Sequence, residues 1–173
     1  MEKFGIVIWL LPIVFMIHDF EEIIFFKPWI SKNKDYLTEK FPKISKRFLL
    51  RMENLSTSAF SLAVAEEFLL LSLITLGSVL FDNYFLWLAA FMGFFGHLLV
   101  HLGQWIVLKR YIPAIWTTFL ALIYCVYALY EIITNNVFQV SEIVLWTIIG
   151  FGLVGVNLVF AHKLAEMYDK RQK

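Results

Sequence analysis

The residues best suited to chemistry in this sequence are His18, Glu21 and Glu22. They interrupt an apolar run over residues 4–26. On a helix, a histidine followed by acidic residues at i+3 and i+4 places all three side chains on one patch, while Asp19 is expected to point elsewhere. An imidazole above two carboxylates suits a metal ion or a proton site. Ionisable residues within a membrane usually mark function, because burying them in hydrocarbon is costly.

Two more apolar runs carry side chains of the same kind. One contains the adjacent Glu66 and Glu67, and the next contains His97 and His101 at i and i+4. Two histidines at this spacing are by themselves a weak signal, because such pairs often only bond to each other. When two histidines lie opposite glutamates at the same depth in the membrane, the combination favours metal ligation. The predicted metal ligands are His18, Glu21, Glu22, Glu66, Glu67, His97 and His101.

Four residues are predicted to act on a bound ligand. Glu22 and Glu67 are the candidate catalytic carboxylates, since an acid beside a metal can take a proton from water. Gln104, which follows His101 on the same helix, and Asn157, in the last apolar run, are predicted to bind a cofactor or substrate. A helix–helix hydrogen bond explains Asn157 equally well.

The elements that position these residues are predicted to be membrane helices. The chain has 173 residues, of which 60% are hydrophobic, and a mean hydropathy of +0.72, which is too apolar for a soluble domain. We therefore predict an all-α fold, a single domain over residues 1–173 that forms an integral membrane bundle of five transmembrane helices. The predicted spans are residues 4–26, 57–81, 84–108, 112–133 and 142–163.

Charge predicts how the bundle crosses the membrane. Of the 15 Lys and Arg residues, all except Lys3 fall on one side, in the loop over residues 27–56, in the joint at 109–111 and in the tail from residue 163. The positive-inside rule then puts the N-terminus outside and the C-terminus in the cytoplasm of a multi-pass protein, expected in the plasma membrane.

The basic loop contains a pattern of its own. Ile44, Phe48, Met52 and Leu55 have the spacing of a short amphipathic helix on the membrane surface, although a solvated loop explains them equally well.

The acidic residues need compensating charge. A rise of about 1.5 Å per residue puts the histidines and glutamates within about 6–16 Å of the cytoplasmic face. The spans that carry them contain no Lys or Arg, so the carboxylates must bind protons or cations. We expect one or two divalent ions, zinc or iron. Two ions bridged by carboxylates, as in helical di-metal bundles, and a single zinc with protonated acids both remain open.

Composition and motifs exclude several function classes. A net charge of +1 argues against a nucleic-acid partner, and the single cysteine, Cys125, rules out an intrachain disulfide and a thiolate-rich metal site. The sequence has no HExxH helix of the zincin type. Its four histidines are too few for the histidine-rich membrane desaturases. Glu131, near the end of the fourth run, is expected to be hydrated.

The chain resembles the HXXEE-domain membrane proteins, which are named after the motif seen here as His18-x-x-Glu21-Glu22. The similarity extends through Glu66-Glu67 and the two histidines to the segment Arg110-Tyr111-Ile112-Pro113. Members of the family have glycine after this proline, where this sequence has Ala114. The resemblance implies a membrane protein of a family whose activity is uncharacterised.

Two function classes fit these residues. The first is an intramembrane metal-dependent enzyme, most simply a hydrolase, in which activated water attacks a lipophilic small molecule or lipid arriving from the inner leaflet. A carboxylate-rich di-iron oxygenase is a further alternative. The second class is a metal-ion or proton transporter or sensor that uses the same ligands. Five helices are few for alternating access by a monomer, and an oligomer would remove that objection.

Overall fold

The protein is built from long α-helices. The computed structural model describes residues 2–42, 49 and 55–172. These residues form five helices and no strand, and all five helices are long and apolar enough to cross a membrane. This confirms the predicted all-α architecture with five membrane spans. The helices are α1 Glu2–Lys40, α2 Thr57–Leu80, α3 Phe85–Leu108, α4 Ile115–Thr134 and α5 Val140–Gln172.

The first helix is longer than the sequence suggested. We predicted a span that ends at residue 26 and a loop from residue 27, but α1 continues through Pro28 to Lys40, so the predicted start of the loop was wrong. The extension is held by its apolar side: Ile30 and Leu37 are buried in a small cluster of their own. This packing outweighs the polar composition and the backbone hydrogen bond that Pro28 cannot make.

Other predicted boundaries shift less. Helix α4 begins at Ile115 rather than at residue 112, and α5 continues beyond residue 163 to Gln172. The amphipathic surface helix predicted from Ile44 lies outside the described residues, except for its last apolar position, Leu55, which is buried.

The α1 extension holds the turn between α3 and α4. Trp29 Nε1 donates to the carbonyl of Tyr111 at 2.6 Å. Tyr36 Oη and Lys40 Nζ donate to carbonyls in the last turn of α3, those of Leu108 and Val107, each at 2.9 Å. These α3 carbonyls have no partner within their own helix, so the extension satisfies groups that would otherwise need water. The turn that presents Tyr111 is thereby fixed.

One end of the bundle carries most of the positive charge. Contacts such as Lys27 Nζ to Leu55 O at 2.8 Å and Ser56 Oγ to Asp169 at 2.5 Å bring the end of α1, the start of α2 and the end of α5 together. We call this the basic end, and define it by residues 27–40, 109–110 and 163–172. The structure thus shows the predicted segregation of charge, while the side of the membrane on which this end lies stays a prediction.

Helix α3 is central and α5 is peripheral. Half of the apolar stretch of α3 (50%) is buried inside the protein, against 6% of that of α5. The two helices approach closely where Gly150 lies against the backbone of Ala89, a place where a Cβ would overlap the Ala89 carbonyl. Small residues permit such a close approach between membrane helices, whereas Gly152 and Gly155 face open space.

An aromatic core fixes α1 against α3 and α4 on the side of the histidines away from the basic end. Trp87 stacks on Phe91 with ring centroids 5.2 Å apart. Trp87 Nε1 donates to Ile8 O at 3.3 Å, and Tyr124 Oη donates to Val7 O at 2.8 Å. These contacts set the rotation of α1 about its axis, and with it the direction of the side chains that follow.

Candidate metal centre

Three histidines from two helices converge inside the bundle. His18 comes from α1, and His97 and His101 lie one turn apart on α3. The Nε2 atoms of His97 and His101 are 2.9 Å apart, and one ring nitrogen from each of the three histidines lies within 4.8 Å of the others. His18 is fully buried, and its Nε2 has no hydrogen-bond partner among the described residues. Three imidazoles around one point are a donor set that zinc and other transition ions accept.

A second group of possible ligands overlaps the first. One oxygen each of Asp19 and Glu22 and one ring nitrogen of His97 lie within 4.8 Å of one another. Glu22 Oε1 is also 3.2 Å from His101 Nε2. Asp19 is only 4% exposed, so the expectation that it points elsewhere was wrong. Helix α1 packs against α2, α3 and α4, so side chains 100° apart around it can all be buried.

Glu21 has a different environment from Glu22. Its Oε1 accepts from the hydroxyl of Tyr111 at 2.8 Å. Its Oε2 accepts from the backbone N–H of Thr117 at 2.8 Å and from the Thr117 hydroxyl at 2.7 Å. Both oxygens are therefore engaged at the start of α4, and Glu21 belongs to neither ligand group. A carboxylate here also has a favourable interaction with the helix dipole of α4.

Tyr111 is suited to remain the donor in this contact. It lies in the turn before α4, where partial burial and the hydrogen bond to Glu21 raise the pKa of its phenol above the ordinary value. The hydroxyl therefore keeps its proton at neutral pH. Sequence reasoning noted Tyr111 only as part of a motif and missed Thr117, since no pattern in the chain pairs it with Glu21.

Thr117 also connects Glu21 to the histidine cluster. Its hydroxyl donates to Glu21 and lies 3.4 Å from Nδ1 of His18, so its oxygen can accept the Nδ1 proton. This arrangement favours the tautomer of His18 in which Nε2 carries a lone pair, on the side of the ring where metal ligation would occur. A partner that orients a histidine ligand through its other nitrogen is typical of metal sites.

The two glutamates of α2 point in different directions. Glu66 accepts from the amide of Asn157 on α5 at 3.2 Å and lies outside both ligand groups. Glu67 lies close enough to Glu22 and Asp19 for their charges to repel one another, and it lines a cavity together with His97. Gln104 is exposed on α3 and does not line this cavity.

The cavity has a volume of about 120 Å³ and lies between α2, α3 and α5. Its three polar lining residues, Glu67, His97 and Asn157, all lie at the end nearer the basic end of the bundle. The remaining lining residues are apolar, and some of them, such as Leu86 (51% exposed) and Leu153 (49% exposed), lie on the surface that faces hydrocarbon. The described cavity therefore extends from the cluster away from the basic end. The approach of a substrate from the cytoplasmic leaflet stays a prediction.

Glu131, a carboxylate far from the cluster, was expected to be hydrated but is buried. Glu131, near the end of α4, is 7% exposed rather than hydrated. Its Oε2 accepts from Nδ2 of Asn135 at 3.0 Å. Local hydrogen bonding of this kind lets a carboxylate be buried without a cation, which separates Glu131 from the acids of the cluster.

Comparison with known protein families shows which family the chain belongs to. A family model described as "Protein of unknown function with HXXEE motif" matches residues 9–128. This chain belongs to the HXXEE family. The match contains both ligand groups, Tyr111 and Thr117, and it ends before α5, which supplies Asn157. Comparisons with curated proteins and with solved structures gave no match, so the function has to be argued from the site itself.

The three defining residues of the HXXEE motif lie in two different environments. His18 and Glu22 face the cluster, whereas Glu21 faces the start of α4. The segment that follows α3 ends at Ala114, which has φ 70° and ψ −1° immediately before α4. Glycine adopts this left-handed conformation without strain, which explains the glycine expected from the family at this place. The turn matters because it carries Tyr111 and leads into the first turn of α4, where Thr117 supplies the other donors to Glu21.

Proposed function

We propose that this protein is an intramembrane metal-dependent enzyme, most simply a hydrolase, which acts on an amphiphilic, lipid-like substrate. One observation carries the proposal. A buried three-histidine cluster borders the polar end of an apolar cavity that reaches the hydrocarbon-facing surface, and His97 belongs to both.

The metal would be held by His18, His97 and His101. Their nitrogens are already close together, and Nε2 of His18 is buried without a hydrogen-bond partner among the described residues, so it is free to bind a metal ion. Three imidazoles suit zinc or iron, and three protein ligands leave a zinc coordination position open. A divalent ion at this place would polarise a carbonyl or phosphoryl oxygen and lower the pKa of a water molecule.

The protein's own groups would then move the proton and place the substrate. Glu67, beside His97 in the cavity wall, is placed to act as general base and to take the proton of the attacking water. The new bond would form from the water oxygen to the carbonyl carbon or the phosphorus atom, the bond to the leaving group would break, and Glu67 would return the proton to the leaving group. Glu22 is the second candidate catalytic carboxylate. Its Oε1 is 3.2 Å from Nε2 of His101, so it would act next to this metal ligand.

The shape of the cavity indicates the kind of substrate. Its polar lining residues are at one end, so the reactive polar group of an amphiphile would lie at His97, Glu67 and Asn157. The hydrocarbon chain would extend toward Leu86 and Leu153, in contact with the membrane interior. A ligand site that is mostly apolar with a few convergent polar groups is the common form of a binding pocket for such molecules.

The orientation decides the leaflet from which the substrate comes. We propose that the basic end is cytoplasmic, that the chain spans the plasma membrane with its N-terminus outside, and that the cavity therefore extends from the cluster toward the outer leaflet. A cysteine introduced at the exposed Lys34, after replacement of Cys125, is expected to react with an impermeant maleimide only after the cells are permeabilised. Labelling in intact cells contradicts this orientation.

The enzyme proposal is tested with protein purified in a mild detergent. We expect bound zinc or iron by mass spectrometry, and hydrolysis of at least one long-chain probe among a p-nitrophenyl ester, an anilide and a phosphodiester. Chelation should abolish hydrolysis, and added metal should restore it. His97→Gln should be inactive, whereas His162→Gln is a matched control because His162 lies outside the cluster and its Nδ1 contacts Leu158 O at 2.7 Å.

Two results would count against a metal-dependent enzyme. Absence of bound metal from active wild-type preparations removes the metal from the mechanism. Metal binding without turnover, together with His97-dependent uptake of zinc into liposomes, favours the transporter class instead.

A further inference from the structure

Asp19, Glu22 and His97 form a group that the three-histidine site does not require. Their ligand atoms lie within 4.8 Å of one another. Asp19 is 4% exposed, and its Oδ2 has no hydrogen-bond partner among the described residues. A buried carboxylate oxygen without a donor is costly, so a native structure that retains one needs a compensating cation or proton.

Charge in this part of the bundle favours a cation. Asp19 and Glu22 are adjacent to Glu67, and the three carboxylates repel one another. Between residues 4 and 26 of α1, and throughout α2 and α3, the sequence contains no Lys or Arg. One divalent ion in the three-histidine site would have neutral ligands, would offset at most two of these three negative charges, and would leave Asp19 Oδ2 without a ligand.

His97 can serve two sites at once. Its Nε2 faces Nε2 of His101 at 2.9 Å, so this nitrogen belongs to the three-histidine group. The imidazole ring has a second nitrogen on its other edge, which can also bind an ion once its proton is released on metal binding. Two carboxylates and one imidazole make a harder donor set than three imidazoles, and such a set suits zinc, iron or manganese.

We propose that Asp19, Glu22 and His97 bind a second divalent cation, adjacent to the ion of the three-histidine site and sharing His97 with it. This inference rests on the metal site of the proposed function. It assigns a ligand role to Asp19, and it makes an imidazole the shared element between the ions. The second ion would compensate the charge of Asp19 and Glu22 and would fix the ring of His97.

Metal stoichiometry tests the proposal. The protein in detergent is stripped with EDTA, loaded with ZnCl₂, freed of excess zinc by gel filtration, and analysed for ions per chain by mass spectrometry. The wild type is expected to hold two zinc ions. Asp19→Asn and His18→Gln should each hold one, since each loses one site, and His97→Gln should hold none. Glu39→Gln, a carboxylate exposed on the α1 extension, is the matched control and should hold two.

The other possible outcomes overturn either the second metal site or the proposed metal-dependent enzyme on which it rests. One ion in the wild type, or two ions in Asp19→Asn, removes the second site. No ion in the wild type removes the proposed metal enzyme itself.

Discussion

The two sides of the polar cluster are built in opposite ways. On the side that faces α4, both oxygens of Glu21 have donors, which come from Tyr111 and Thr117. On the side that faces α3 and the cavity, His18 Nε2 and Asp19 Oδ2 have no partner among the described residues. A buried polar group without a partner costs about 1–3 kcal/mol. The contrast indicates that the first side holds the fold and the second side is arranged for a ligand.

Neighbours in sequence can therefore differ in task. Glu21 and Glu22 are consecutive in the family motif, yet a rotation of 100° about α1 sends one to the start of α4 and the other to His101. A motif with two adjacent acids need not be a pair of equivalent ligands. The following predictions test this division.

The largest effect is expected from metal binding itself. A ligand present at 1,000 times its dissociation constant stabilises a folded protein by about 4 kcal/mol, so zinc should raise the thermal midpoint of the wild type and EDTA should reverse the change. His97→Gln should show no such response, since His97 belongs to both ligand groups. Unfolding in detergent, followed by intrinsic tryptophan fluorescence, measures this. His162→Gln should respond as the wild type does, and a full zinc response in His97→Gln contradicts the assignment.

The second prediction compares Glu21→Gln with Glu22→Gln in metal-free protein. In the first variant an amide replaces a carboxylate that accepts three hydrogen bonds, and the expected loss is about 1–3 kcal/mol of unfolding free energy. Glu22→Gln removes a charge that is repelled by Glu67, so the metal-free protein should be as stable as the wild type or more stable. The same variant should lose the part of the zinc stabilisation that comes from the second ion and should keep the part that comes from the three-histidine site. Equal behaviour of the two variants means that the cluster is not divided as we describe.

A smaller effect is expected at Thr117, which joins the two sides. Removal of an outer partner of a histidine ligand typically weakens metal affinity by about 10–100-fold, and the 3.4 Å separation from His18 Nδ1 places Thr117→Val near the lower limit. Thr117→Ser keeps the hydroxyl and should restore the affinity. Competition with a zinc-binding dye gives the values.

Thr118 offers a matched control for this experiment. It is adjacent in sequence and fully buried, and its hydroxyl has no hydrogen-bond partner in the described part of the chain. Thr118→Val should therefore leave zinc affinity unchanged. A weaker affinity in this control would show that any loss of a hydroxyl in α4 disturbs the site, and Thr117 would then have no special role.

The smallest effect concerns the turn that presents Tyr111 to Glu21. Lys109 ends α3 in the left-handed region at φ 53° and ψ 33°, and it is exposed. A residue with a Cβ pays about 1–2 kcal/mol for this conformation, so Lys109→Gly should stabilise the protein by up to about 1 kcal/mol. Lys109→Ala keeps the strain and should give no gain. An equal gain from both substitutions assigns the effect to the lost charge instead.

Much of the architecture could be predicted from the sequence. Five apolar runs predict five spans, because a bilayer requires helices of a certain length whatever their partners are. The His and Glu residues could be placed in one slab, since the rise along a helix is constant. The segregation of Lys and Arg to one end follows from their positions in the sequence relative to the apolar runs. The α1 extension was missed because its helix depends on packing of Ile30 and Leu37 in a cluster formed by distant parts of the chain.

The direction of each side chain was decided only by the tertiary structure. Helix geometry fixes the angles between residues of one helix, but the rotation of that helix relative to its neighbours depends on side chains packed between them. The hydrogen bonds from Trp87 and Tyr124 to the carbonyls of Ile8 and Val7 are contacts of this kind, since they join α1 to α3 and α4. With α1 held in this rotation, Asp19 faces inward and Glu21 faces α4, because a rotation of 100° about α1 exchanges one neighbouring helix for another.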